Sequence, residues 1–204
     1  MTKVPHSKQA LTQLRRQRDL YVRMLPSLDL KRRKLTAEVN QARQRLADGE
    51  DQLEALLDHT ARALPMLGNP ALDLLGLVEV HSIDCAEENM VGVRLPVLER
   101  ADIRTRPYSL LGKPHWVDPL AEAEAEIALH QIQLAIERKR LGLLEHALRR
   151  VSQRVNLFEK VLIPEAERTI QRIQIHLADA ERAAVVRSKI FKSKLEARQR
   201  QAAS

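Results

Sequence analysis

The sequence predicts a mainly α protein: a long antiparallel two-helix coiled coil with a small central β-hairpin and loop region. Three observations carry this. Apolar residues recur in heptads through the first and last thirds of the chain, and most prolines and glycines gather in the middle third. Aromatic residues make up only 2% of the chain, against 30% charged. A globule of this length packs around large rings, and this chain has only Tyr21, Tyr108, Trp116, Phe158 and Phe191. Leu, Ala, Glu, Arg and Gln dominate instead, the composition of long helices.

Residues 1–59 are expected to form the first coiled-coil helix. From Leu11 the a positions are Leu11, Arg18, Leu25, Arg32, Val39, Leu46 and Leu53, and the d positions are Leu14, Tyr21, Leu28, Leu35, Ala42, Gly49 and Leu56. Only Arg18, Arg32 and Gly49 interrupt the apolar seam, and heptads sustained this long argue for a coiled coil. Pro26 is expected to kink the helix, because its ring removes a backbone donor and crowds the preceding turn.

Residues 60–119 form the central region. Pro65, Gly68, Pro70, Gly76, Gly92, Pro96, Pro107, Gly112, Pro114 and Pro119 stop long helices here. GLVEVHSID alternates like a strand, AEEN is read as the turn, and MVGVRLPVLE as the second strand, giving a hairpin near residues 77–99. Pro96 favours an open edge on that second strand.

Residues 120–204 return to helix. Ile127, Leu134, Leu141, Leu148, Val155 and Leu162 recur every seventh residue, with Leu144, Val151 and Phe158 at the paired position. Past Pro164 the stripe continues one residue displaced, through Ile163, Ala166, Ile170, Ile173, Leu177, Ala180, Ala184 and Phe191. A lone proline in a heptad pattern marks a kink at which the stripe is re-phased. Two such helices are expected to fold back on each other, with Leu120–Leu134 packing on the central region, since an amphipathic helix alone gains little in water.

The formal charge of +7 points to an acidic partner. Cations crowd the first helix (Arg15, Arg16, Arg18, Arg23, Lys31 to Lys34) and the far end of the last (Arg182, Arg187, Lys189, Lys192, Lys194, Arg198, Arg200). In the antiparallel arrangement these share one end, a basic tip. A freestanding arm binding nucleic acid through that tip is one reading, although aromatic stacking residues and a nucleic-acid-binding motif are missing from the sequence. No run of about 18 apolar residues spans a membrane, no signal peptide is legible, and the single Cys85 suits a reducing, cytoplasmic setting.

No catalytic, cofactor or metal constellation emerges. LLGKPHW lacks the upstream glycine and following Ser or Thr of a phosphate loop and reads as a turn. His81 and Cys85 have no companion pair for zinc. His130, His146 and His176 are scattered on or beside the seam, and the EAEAE run of Glu122, Glu124 and Glu126 reads as a solvated face.

ENMVGVRLPVLE (Glu88–Glu99) and the stretch Arg149–Lys194 resemble the central-stalk D subunit of the V-type/A-type rotary ATPases. The second block carries Arg154, Asn156, Leu157, Glu159, Ile163 and Pro164, and departs from the family pattern at Phe158. The opening LTQLRRQRDLYVRMLPSLDLKRRKL is similar to the N-terminal helix of the bacterial branch. The resemblance implies a non-catalytic rotor shaft. One end of its coiled coil enters the hexamer of catalytic A and non-catalytic B subunits. The other joins the F subunit and the cap-like C/d subunit on the membrane ring, peripheral to the cytoplasmic face. On that reading Arg187, Lys189, Lys192 and Lys194 face the hexamer, Val91, Gly92 and Val93 dock at the base, and Pro164 and Pro26 bend the shaft off axis.

Overall fold

The computed structural model describes residues 7–64, 76–107 and 115–202, with side chains through Leu195. Helix α1 spans Lys8–Ala63, strands β1 and β2 span Val78–Met90 and Val93–Thr105, and helix α2 spans Val117–Leu157. A π-helical turn, Phe158–Leu162, joins α2 to helix α3, Ile163–Ala202. The LLGKP portion of LLGKPHW and the turn residues Pro65, Gly68 and Pro70 lie outside the described residues, as do the side chains of Arg198 and Arg200. The chain divides into two compact units, residues 1–30 with 152–204, and residues 31–151.

Helix α1 is started by Ser7, whose Oγ accepts the N–H of Ala10 at 3.1 Å. This satisfies one of the four backbone donors that a helix start leaves unpaired. The helix runs unbroken through Pro26. The carbonyl that loses its partner there belongs to Val22, an exposed residue, so the broken bond falls on the open side of the helix. Every predicted a and d residue of α1 is buried or half-buried, including Arg18, Arg32 and Gly49. Arg18 is held beside the seam by the Asp19 carboxylate, at 2.5 and 3.0 Å. That hydrogen bonding, with the attraction between the two charges, raises the guanidinium pKa above its ordinary value.

In the unit of residues 31–151, α1 and α2 run antiparallel. Arg43 pairs with Glu145 at 2.6 Å and Glu50 with Arg138 at 2.7 Å, so numbers rise on one helix as they fall on the other. Leu35, Val39 and Ala42 are buried in α1, and Leu134, Leu144 and Val151 in α2. Gly49 stands where a Cβ would lie 2.8 Å from Cδ2 of Leu134, so the missing side chain is the hole that Leu134 fills. A second cluster, Leu77, Trp116, Val117 and Leu120, with Leu64 and Val78 against it, anchors the root of the hairpin. Leu120 therefore packs on the central region as expected, whereas Leu134 belongs chiefly to the seam.

In the unit of residues 1–30 and 152–204, Lys8 pairs with Glu181 at 3.0 Å and the Tyr21 ring meets Phe158 edge-on at 5.1 Å. These again fix an antiparallel pair. Val155, Ala166, Ile170 and Ile173 are buried along it.

The displaced stripe at Pro164 has a direct structural cause. Ile163 N–H bonds the carbonyl of Phe158, five residues back, which puts one extra residue into that turn. The seam before the turn and the seam after it then stay on one face. Pro164 lacks the N–H that a regular helix would direct at Lys160, so the looser turn sits where the ladder is already broken.

The hairpin differs from expectation in its turn. AEEN lies within β1, and the chain reverses at Val91–Gly92, with Met90 opposite Val93. Both turn residues have positive φ, +53° and +75°, the two-residue geometry that matches strand twist. β1 is longer than the alternation suggested because bulges at the Val80/Ser82 and Asp84/Cys85 steps reset its register. Pro96 lies opposite Glu87, three pairs from the turn. There its missing N–H faces away from the ladder, which explains its place in a strand.

The two helical glycines give opposite predictions. Gly142 has nothing within 4 Å of an added Cβ, so Gly142→Ala should stabilise by about 1 kcal/mol through helix propensity. Gly49→Val should overpack the seam against Leu134, costing about 1–3 kcal/mol. Thermal melts should move the two midpoints in opposite directions.

Candidate partner-binding surfaces

The distal part of α3 is the most exposed stretch of the unit that contains it. Beyond Leu177 every side chain from Ala178 to Leu195 is exposed. Phe191 and Leu195 stand five turns beyond Ile173 and Leu177, on the same side of the helix. The seam stripe thus continues past the last residue that α1 covers, as the Lys8–Glu181 pair marks. Ala180, Ala184 and Phe191, read from sequence as seam, are therefore uncovered; Phe191 is 69% exposed. The reason is positional: a heptad stripe encodes a face, whereas burial needs a partner helix alongside.

Arg187, Lys189, Lys192 and Lys194 are all exposed on this stretch. So are Val185, Val186 and Ile190. At about 100° per residue, Val185, Val186, Ile190, Phe191 and Leu195 point to roughly 0°, 100°, 140°, 240° and 280° around the axis. The four cations fall at roughly 200°, 40°, 340° and 180° on the same scale. Apolar and cationic groups therefore interleave on every side, unlike a helix lying on a flat surface, whose apolar residues share one face.

The same unit exposes a second set of large apolar side chains: Leu20, Val22, Met24 and Leu30 on α1, and Leu157 and Val161 at the π-helical turn. The seam pattern leaves these residues out. Their exposure follows from falling off the a and d positions while remaining apolar, which is the signal that finds them.

The hairpin tip carries the other candidates. Val91 and Val93 are half-buried and Gly92 is exposed. Gly92 is close enough to Lys31 that an added Cβ would lie 3.2 Å from the Lys31 Nζ. Val91 is the one described non-glycine residue with positive φ, and a β-branched side chain there is strained. Below the tip, Arg140 is buried. Its Nη1 donates to the Pro96 carbonyl at 3.1 Å and its Nη2 to Glu88 at 3.3 Å. Nothing in the sequence singles out this residue, since a charge off the seam reads as solvated.

The titratable candidates are dispersed. Among the described residues no group of three or more His, Cys, Asp or Glu could hold a metal, and no helix is long and apolar enough to cross a membrane. His81 and Cys85 are exposed on β1, and His146 and His176 are exposed on the helices. His130 lines a cleft with Leu134 and Arg140. The EAEAE run is not uniformly solvated: Glu122 and Glu126 are exposed, but Glu124 is half-buried, and burial raises its carboxyl pKa.

Comparison with known proteins adds a family. A family profile described as the D subunit of ATP synthase matches residues 10–193. The chain is 38% identical to the V-type ATP synthase D subunit of Chlamydia muridarum over 175 residues, covering 84% of this chain and 86% of the relative. It is 34% identical to the protein of the same name from Chlamydia pneumoniae, over 85% and 84%. With that of Borreliella burgdorferi it shares 30% identity over 96% of each chain.

The strain at the tip is measurable. Val91→Asn places at φ +53° a residue that accepts the left-handed region, and should stabilise the protein by about 1 kcal/mol. Urea denaturation of both proteins checks it through the shift in midpoint.

Proposed function

The chain belongs to the ATP synthase D-subunit family, and from that membership we propose that it is the non-catalytic central rotor shaft of a V-type/A-type ATPase. In this role it transmits torque between the hexamer of catalytic A and non-catalytic B subunits and the membrane ring. ATP hydrolysis or synthesis is thereby coupled to ion transport across the membrane, to which the chain is peripheral through the complex.

The observation that carries this reading is the distribution of groups around distal α3. A helix with exposed apolar side chains in every direction is covered only by a partner that surrounds it. Each large side chain so buried contributes roughly 1.5–3 kcal/mol, which an open surface on one side could supply for only some of them. Interleaved cations suit an encircling wall with acidic groups and keep the contact hydrated enough to turn. Arg187, Lys189, Lys192 and Lys194 are assigned to that contact. Leu20, Val22, Met24, Leu30, Leu157 and Val161 offer further apolar area for a partner on the same unit. Val91, Gly92 and Val93 are assigned to docking towards the cap-like C/d subunit.

Coupling works by differential contact. Driving one catalytic interface from 1:99 to 99:1 takes about 5.5 kcal/mol of preference. A shaft with threefold-even contacts would press equally on all three interfaces. The π-helical turn before Pro164, together with Pro26 within the continuous α1, is assigned to making the contact uneven.

Reconstitution with the A and B subunits tests the reading. The wild-type chain should join the hexamer and stimulate its ATPase. Ile190→Asp combined with Phe191→Asp changes only exposed residues, should leave helicity intact, and should cut that stimulation by about tenfold or more. Unchanged stimulation would remove α3 from the contact. Pro164→Ala should leave the helix pair folded but lower the rotation obtained per ATP hydrolysed, measured on single assembled complexes.

A further inference from the structure

We propose that the β-hairpin is a releasable strap on the α1–α2 pair of the unit formed by residues 31–151, anchored at its root and latched midway by Arg140. The hairpin is held unevenly along its length. At the root, Leu77, Trp116, Val117 and Leu120 are buried together, and the Arg106 N–H closes the ribbon on the Leu77 carbonyl at 2.8 Å. β1 beyond the root contributes no buried side chain, and the apolar Val80 and Ile83 are 47% and 46% exposed. On β2 the one fully buried side chain is Leu95.

The latch beside Leu95 is incomplete. Arg140 reaches β2 through the Pro96 carbonyl, β1 through Glu88, and its own helix through Glu137 at 3.5 Å. Arg45 of α1 approaches Glu137 at 3.7 Å. Yet Nε of Arg140 and Oε2 of Glu137 are buried without a hydrogen bond. Each of these atoms has an opposite charge only at long ion-pair distance, so it carries the desolvation penalty of a buried polar group with no hydrogen bond to offset it. Lifting the hairpin hydrates both, which offsets part of the cost of exposing Leu95.

Two further features lower the barrier to release. A cleft of about 480 Å³ lies beneath the ribbon, between Val97 and Leu98 on β2 and Gly49, His130 and Leu134 on the helices. That gap forfeits the packing that would hold the strand down. The ladder between β1 and β2 joins only the two strands to each other, so the ribbon moves as one piece about its root. Regions with few buried contacts open ahead of the core they lie on.

The single cysteine provides the test. Cys85 is exposed on β1, and Gly142→Cys adds a second exposed thiol on α2, where an added side chain meets nothing. Spin labels at the two positions of the full-length chain report strap-to-helix distances by pulsed electron resonance. A docked and a longer, released population are expected. Arg140→Gln should shift the ratio towards release by roughly tenfold, and Glu88→Gln should shift it the same way by less. Circular dichroism should show unchanged helicity; if Arg140→Gln loses helix, the half-exposed Glu88→Gln decides alone. A single distance distribution, unaltered by whichever variants retain their helicity, overturns the strap.

Discussion

The structure depends on one constraint: each long helix carries an apolar stripe that is covered only where another helix lies against it. α1 has every a and d residue from Leu11 to Leu56 at least half-buried, with no large aromatic core to assist. An isolated helix of this kind gains little in water, so its stability comes from the seam. The exceptions serve the same end. Gly49 admits Leu134. Arg18 is neutralised by Asp19 beside it, and ion pairs such as Arg43–Glu145 and Glu50–Arg138 flank the seam at its polar margin. Exposed pairs of this sort contribute little energy each; their value is in fixing which residues face each other.

The same constraint gives the π-helical turn its meaning. A stripe that slips by one residue must either rotate away from its partner or absorb the extra residue locally. The Phe158–Leu162 turn absorbs it, next to a proline that could not have completed a regular turn. Distal α3 shows the constraint unfulfilled. Its stripe continues through Ala184, Phe191 and Leu195 after α1 has ended, and further apolar side chains surround the helix on the other sides. The encircling assembly proposed for this D-subunit family member would give the stretch its missing cover.

The hairpin obeys a different rule. A two-stranded ribbon is marginal in water by itself, so it lies on the helices and takes its order from Leu95, Arg140 and the root cluster. Arg140 is what the helices supply to the ribbon: a buried cation whose guanidinium reaches a carbonyl on one strand and a carboxylate on the other. Burying a charge is tolerable only with such partners, which ties the packing of the helix pair to the attitude of the strap.

The sequence alone determined whatever repeats locally. The heptads located both helices, the one-residue slip located the irregularity before Pro164, and alternation located two strands in the middle. Tertiary structure decided what depends on distant neighbours. AEEN has the composition of a turn, but it lies within β1, while Val91–Gly92 takes the reversal despite a valine at positive φ. Arg140 reads as a surface charge and is buried because the hairpin folds over it. Glu124 sits in an acidic run, yet it loses water while Glu122 and Glu126 keep theirs. Phe191 has the spacing of a core residue and stands in solvent because its partner helix has already ended. Periodicity is written in neighbours along the chain, whereas cover is granted by whatever lies alongside, and no local pattern records where that neighbour stops.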